Sequence, residues 1–222
     1  MYKRQSLCKW FAKKIGFNDS SGGIAASGGT LSNLNALIAA RNNAGLGSNP
    51  NSVLLISEDA HSSFIKCIRI MGLDAANLVR IKTDNQGRMD INNLRKSLNK
   101  CLIENKKIFA IVATLGTTVR GAIDPIKEIS EICKERNIWL HIDGSIGGIF
   151  ALSSIQIEGL NNINQANSIT INPQKIIGIT KTSSLLLVAN MNTLQKTFST
   201  GLPYISSKPV SYTHLTLPTS PK

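Results

Sequence analysis

From Gly22 onward, short apolar runs rich in β-branched residues alternate with stretches whose apolar positions recur at helical spacing. Residues 53–57, 78–81, 108–113, 138–142, 168–171 and 183–188 predict strands, and most are apolar throughout, as strands buried on both faces are. Residues 31–43, 62–71, 90–104 and 125–136 predict helices. Ser62 and Ser63 offer a cap to the second of these. Pro125 suits the first turn of the fourth, where a missing amide hydrogen costs nothing and the Asp124 carboxylate can cap. The alternation predicts an α/β fold, a mostly parallel sheet with helices on both faces. No internal repeat or low-complexity tract interrupts it, and no domain boundary falls before residue 209.

Composition narrows the class. The chain has 222 residues, 42% of them hydrophobic, with mean hydropathy near zero, which suits a packed domain of ordinary size. No run reaches the roughly 18 to 20 apolar residues that span a bilayer, and the first residues lack the apolar segment of a signal peptide, so a cytoplasmic protein with no membrane partner is expected. Cys8, Cys67, Cys101 and Cys133 are scattered without the close pairs of a zinc or redox motif; reduced thiols and no metal are expected.

A formal charge of +12 raises the question of nucleic acid. The Lys and Arg residues are spread over many segments with few aromatics between them, which reads as solvated helix faces and no nucleic-acid partner. The abundance of Asn, Ile and Lys is what AT-rich coding DNA produces. Residues 210–219 (VSYTHLTLPT) resemble the translation of a sequencing adapter, and residues 2–5 (YKRQ) resemble the same element in the opposite orientation. Residues 1–5 and 210–222 are therefore expected to be adapter-derived, leaving 6–209 as the domain, and Lys3, Arg4 and Lys222 add charge outside it.

Three segments carry candidate chemistry. Ser27-Gly28-Gly29-Thr30 leads directly into a helix, where small residues and unpaired amide hydrogens suit a phosphate; a plain turn would read the same way. Residues 138–145 (IWLHIDGS) form an apolar strand ending in Asp143, which there needs a cation or a donor, or else caps the next helix. His141 in that strand reads as a hydrogen-bonded core histidine. Residues 168–175 (SITINPQK) run from a strand through an Asn-Pro turn to Lys175, at the strand end where open α/β sheets bind ligands. Position alone does not select Lys175 over Lys181.

With residues 57–63 (SEDAHSS) and 113–118 (ATLGTT), these segments resemble, in order, the corresponding stretches of the group II amino-acid decarboxylases, the aromatic-amino-acid and glutamate decarboxylases among them. The resemblance covers residues 22–190. It implies the fold-type-I large domain of enzymes dependent on pyridoxal 5'-phosphate (PLP). It also implies that Lys175 holds PLP as an imine, Asp143 pairs with the pyridine nitrogen and His61 stacks on the ring. Gly29 and Thr30 would bind the phosphate, Thr118 would contact the cofactor, and Asn172 would add a phosphate hydrogen bond. The expected reaction is decarboxylation of an L-amino acid to an amine and carbon dioxide, in a homodimer when full length.

Some positions depart from the family's pattern: Leu31 stands in place of an acid, Gln174 in place of the His before the lysine, and Gly144 and Ser145 in place of an Ala pair. Gln174 can donate a hydrogen bond but cannot titrate. Family members also have an N-terminal segment and a C-terminal domain, with a mobile loop, beyond the stretch matched here, so the chain reads as a fragment with negligible activity alone. Carbon-carbon lyase or aminotransferase chemistry on the same fold, and a non-catalytic PLP-binding remnant, are the alternative readings.

Overall fold

The computed structural model describes residues 2–153, 157, 159–180 and 183–199. The expected adapter-derived tail and Lys181 lie outside them. Among the described residues one sheet holds β1 (Gly22–Ala26), β2 (Ser52–Ser57), β3 (Leu78–Ile81), β4 (Lys107–Thr114), β5 (Trp139–Gly144), β6 (Ser168–Ile171) and β7 (Ser184–Val188). Their order is β1-β7-β6-β5-β4-β2-β3. The pairs from β3 across to β6 are parallel, while β7 runs antiparallel to both its neighbours, β6 and β1. The expected strands are all present, within a residue or two of the sequence reading.

Successive side chains of a strand point to opposite faces, so each interior strand feeds two cores. Val53 and Leu55 of β2, Ile111 and Ala113 of β4, Leu140 and Ile142 of β5 and Ile169 and Ile171 of β6 share one cluster. That cluster is closed by α1 (Tyr2–Lys14), α4 (Ile91–Ile103) and α5 (Ile126–Arg136). Leu54 and Ile56, Ala110 and Val112, and Trp139 point the other way, under α2 (Gly29–Asn43) and α3 (Ser63–Ile70). Ala36 and Ala39 of α2 pack on Leu186 and Val188 of β7 beside Leu194 of α7 (Met191–Phe198). A four-residue helix, α6 (Pro173–Ile176), follows β6.

Helices α1, α6 and α7 and strand β1 lie outside the sequence expectation. Helix α1 and the residue after it bury Cys8, Phe11, Ala12 and Ile15, an i, i+3, i+4, i+7 stripe. Strand β1 has the sequence GGIAA, short of β-branched residues, and its glycine serves contact: a Cβ on Gly23 would lie 2.3 Å from the Leu186 carbonyl oxygen.

Both expected caps are replaced by other bonds. Ser62 caps α3 without a side-chain hydrogen bond, and the Ser63 amide donates instead to His61 Nδ1 at 3.2 Å. Asp124 does not cap α5. Its carboxylate accepts from the Met89 and Thr114 amides, each at 2.7 Å, and so fastens the end of β4 to the turn before α4. Burial pushes this carboxyl up to about 6, the two amides pulling the other way.

Candidate active site

The carboxyl ends of the parallel strands and the start of α2 surround a cavity of about 210 Å³. Open α/β sheets bind ligands at this edge because the strands stop there and the following loops splay apart. The residues that sequence reading singled out, Gly29, Thr30, His61, Thr118, Asp143, Asn172 and Lys175, all line it. They come from distant parts of the chain, and the sheet brings them together.

One wall is a helix start. Gly28 precedes α2 in an extended conformation with no side chain capping the helix, so its first amides are left without an intrahelical partner. A Cβ on Gly29 would lie 2.7 Å from Asn172 Nδ2 and 2.9 Å from Ser145 Oγ, and glycine is what lets the backbone line the space. Asn172 is fixed from behind. Ser184 Oγ donates to Asn172 Oδ1 at 2.6 Å, which engages the hydroxyl proton, so Ser32 Oγ must donate to Ser184 Oγ at 2.7 Å. Asn172 thus spends its oxygen on the sheet and keeps its amide hydrogens beside Gly29.

The floor is β5. Asp143 is 6% exposed, paired in register with Thr114 of β4 and Thr170 of β6. Its Oδ1 accepts from the Ser145 amide at 3.1 Å and its Oδ2 from Asn33 Nδ2 at 3.1 Å. His141, two residues earlier on the same face, is buried between Asn33 and Ser168, and burial pushes its ring down to about 4 although Asp143 pulls the other way. Cys67, under the same helix, is pushed up to about 11 by burial and then by Asp143.

Lys175, His61, Thr30 and Thr118 are exposed around the opening. His61 Nδ1 is occupied as an acceptor, leaving Nε2 as the ring's proton carrier when neutral. Gln174, in the place where the resemblance leads one to expect His, turns its Oε1 to the Ser183 amide at 2.8 Å. Thr114 Oγ1 is buried at the cavity and, among the described residues, has no hydrogen-bond partner.

Sequence reading gave no site role to Asn33, Ser63 or Thr114, which also line the cavity. Asn33 had a signal: it shares the buried stripe of Ala36, Leu37 and Ala40, where a polar residue needs a partner. Among the described residues no group of three or more His, Cys, Asp or Glu is placed to hold a metal ion, and no helix is long and apolar enough to cross a membrane.

Comparison with known proteins gives a match over residues 1–222 to the pyridoxal-dependent decarboxylase conserved domain. The aromatic-L-amino-acid decarboxylase of Bacillus atrophaeus is 33% identical over 196 residues, which is 88% of this chain and 41% of that protein. The L-aspartate decarboxylase dtxS4 of Metarhizium robertsii is 33% identical over 201 residues, 87% of this chain and 40% of that one. The crystal structure of mouse CSAD superposes with a TM-score of 0.84 at 29% identity, over 91% of this chain and 44% of the mouse chain. The chain therefore spans about two fifths of the length of the curated relatives it matches.

Proposed function

Because the chain belongs to the pyridoxal-dependent decarboxylase family, we propose that it holds pyridoxal 5'-phosphate in the cavity at the sheet edge and that the whole protein decarboxylates an L-amino acid to an amine and carbon dioxide. The observation that carries the proposal is the convergence of Gly29, Thr30, His61, Thr118, Asp143, Asn172 and Lys175 on one cavity. The residues fit the cofactor. A space that a single Cβ on Gly29 would fill, beside an amide whose oxygen is already engaged, suits a phosphate oxygen. A buried carboxylate facing the cavity suits a protonated ring nitrogen, and the unpartnered Thr114 hydroxyl is a spare donor or acceptor beside it.

In this reading the α2 amides at Gly29 and Thr30, with Asn172 Nδ2, bind the phosphate. Thr118, on the loop after β4, would contact the cofactor, and His61 would stack on its ring. Asp143 favours the protonated ring nitrogen, and Lys175 Nζ is the amine that bonds the cofactor covalently. When bound, PLP supplies an electron-poor ring that takes up the electron pair released at the substrate's alpha carbon. The two relatives are named for aromatic and aspartate substrates, so the proposal extends to an L-amino acid and no further. Their decarboxylase names favour this reaction over the lyase and amino-transfer readings.

A second copy of the chain completes the picture. Leu31, Val119 and Ile176 are exposed apolar residues, each next in sequence to a cavity residue, and a homodimer would cover them. Sedimentation of the full-length protein tests this; a monomer at micromolar concentration would remove it.

The decisive experiment is borohydride reduction of the chain after incubation with PLP, followed by peptide mass analysis. A cofactor adduct on Lys175, absent from Lys175→Ala, is expected. No adduct, or an adduct spread over surface lysines, would overturn the reading.

A further inference from the structure

We propose that Asn33 and His141 are positioning residues for Asp143: with Ser168 and Trp139 they form a buried donor chain of one fixed direction that ends on the Asp143 carboxylate and orients it toward the cavity. The link to cofactor chemistry rests on the PLP reading above; the direction of the chain does not.

The arrangement follows from strand periodicity. Trp139, His141 and Asp143 alternate along β5 and so face the same side, under α2, with Ser168 opposite His141 in the β5–β6 register. Trp139 Nε1 lies 2.8 Å from Ser168 Oγ, Ser168 Oγ 2.8 Å from His141 Nδ1, His141 Nε2 3.0 Å from Asn33 Oδ1, and Asn33 Nδ2 3.1 Å from Asp143 Oδ2. Every side chain in the chain is buried.

Both ends of this series are committed. An indole N–H can only donate, and an ionised carboxylate can only accept. With a neutral ring, one assignment satisfies every link: Trp139 donates to Ser168, Ser168 to His141 Nδ1, His141 Nε2–H to Asn33 Oδ1, and the Asn33 amide to Asp143. His141 then carries its proton on Nε2. The other neutral tautomer would aim the Nε2 lone pair at Asn33, forcing the amide to turn its oxygen toward the carboxylate in a water-poor site. An imidazolium there is opposed by burial, which already pushes the ring down to about 4.

The consequence for the site is electrostatic. Each link is a neutral dipole with its positive end toward Asp143, so the carboxylate meets the donor end of the chain. The Ser145 amide fixes Oδ1 and Asn33 fixes Oδ2, which leaves the carboxylate's remaining acceptor capacity for the cavity. The thiol of Cys67 is the other titratable group that senses Asp143 from α3, and burial together with that charge keeps it protonated.

The test begins with the cofactor-free chain. Nitrogen-15 NMR of labelled histidine, with the His141 signals identified by their loss in His141→Gln, should show an Nε2–H imidazole unchanged from pH 5 to pH 8. An Nδ1–H tautomer, or an imidazolium at pH 6, overturns the proposal whether or not PLP binds. The second measurement is PLP affinity. Asn33→Leu, with its fold checked by circular dichroism, should bind PLP roughly tenfold or more weakly, as expected for loss of a hydrogen bond to a buried charge, and still form the Lys175 adduct at saturating PLP. Unchanged affinity in Asn33→Leu overturns the positioning role. Absence of PLP binding by the unmodified chain would overturn the functional reading alone, and the histidine spectrum would still decide the direction of the donor chain.

Discussion

Gly29 and Asn172 stand so close that a Cβ on the glycine would lie 2.7 Å from the asparagine's Nδ2, and Ser184 holds that asparagine from behind. Gly29→Ala must therefore push the amide out of the place proposed for phosphate. Alanine is a better helix former than glycine, which offsets part of the cost of displacing the anchored asparagine. PLP affinity should fall about tenfold or more, measured by fluorescence titration against a parallel thermal melt. Equal affinity in the variant would mean that the phosphate sits elsewhere.

Arg41 is nearly buried at the end of α2, its guanidinium donating to the carbonyl oxygens of Leu46, Met71 and Asn49 at 2.8 to 2.9 Å. Burial lowers its pKa from the ordinary arginine value. A lysine keeps the charge but cannot reach three carbonyls with one fork. Arg41→Lys should cost about 2 kcal/mol in urea unfolding, the scale of hydrogen bonds to a charged group. A change under about 0.5 kcal/mol would show that these loops hold themselves.

Asp124 and His141 oppose each other in pH dependence. Burial raises the Asp124 carboxyl to about 6, above its unfolded value near ~3.9, so the folded state binds that proton more tightly and the group's contribution falls as pH rises from about 4 to about 6. His141 is depressed to about 4 from an unfolded value near ~6.5, so its contribution is lost as pH falls through the same window. Asp124→Asn removes the first effect. The variant is less stable overall because an amide cannot accept from both Met89 and Thr114. Its stability should nevertheless climb more steeply with pH, by up to about 1.4 kcal/mol per pH unit. Urea midpoints at pH 4.5, 5.5 and 6.5 read this out, and a slope equal to that of the unmodified chain would refute it.

Gly23 is the tightest point of the β1–β7 pairing, with the Leu186 carbonyl oxygen 2.3 Å from where a Cβ would be. Backbone cannot yield as a side chain does. Gly23→Ala should cost at least ~2 kcal/mol and lower protection of the β1 amides in hydrogen exchange. Normal protection there would mean that the strands part without loss.

The central strands were legible because most are continuous apolar runs, and the cavity-lining residues because five short segments appear together in a known order. Strand β1 was not, since GGIAA is chosen for close approach to β7 and carries little β propensity. Helix α1 had its signal in Cys8, Phe11, Ala12 and Ile15, hidden in a stretch set aside as foreign at its first residues. The cap at Asp124 misled because a carboxylate beside a proline reads as a local cap, whereas its partners, Met89 and Thr114, are settled only by tertiary folding. Asn33 was overlooked for the converse reason: its partners on β5 are distant in sequence, and only its place on the buried face of α2 hints at them.

The placement of β7 also bears on how the chain assembles during synthesis. A ribosome releases β1 early and β7 late, yet β7 is the strand that fits between β1 and β6. Until it emerges, β1 has no neighbour in the sheet, and Asn172 lacks the Ser184 hydroxyl that orients it. Such long-range pairing slows folding and leaves strand edges exposed meanwhile. The cavity wall at Gly29 is thus translated before the strand that completes it.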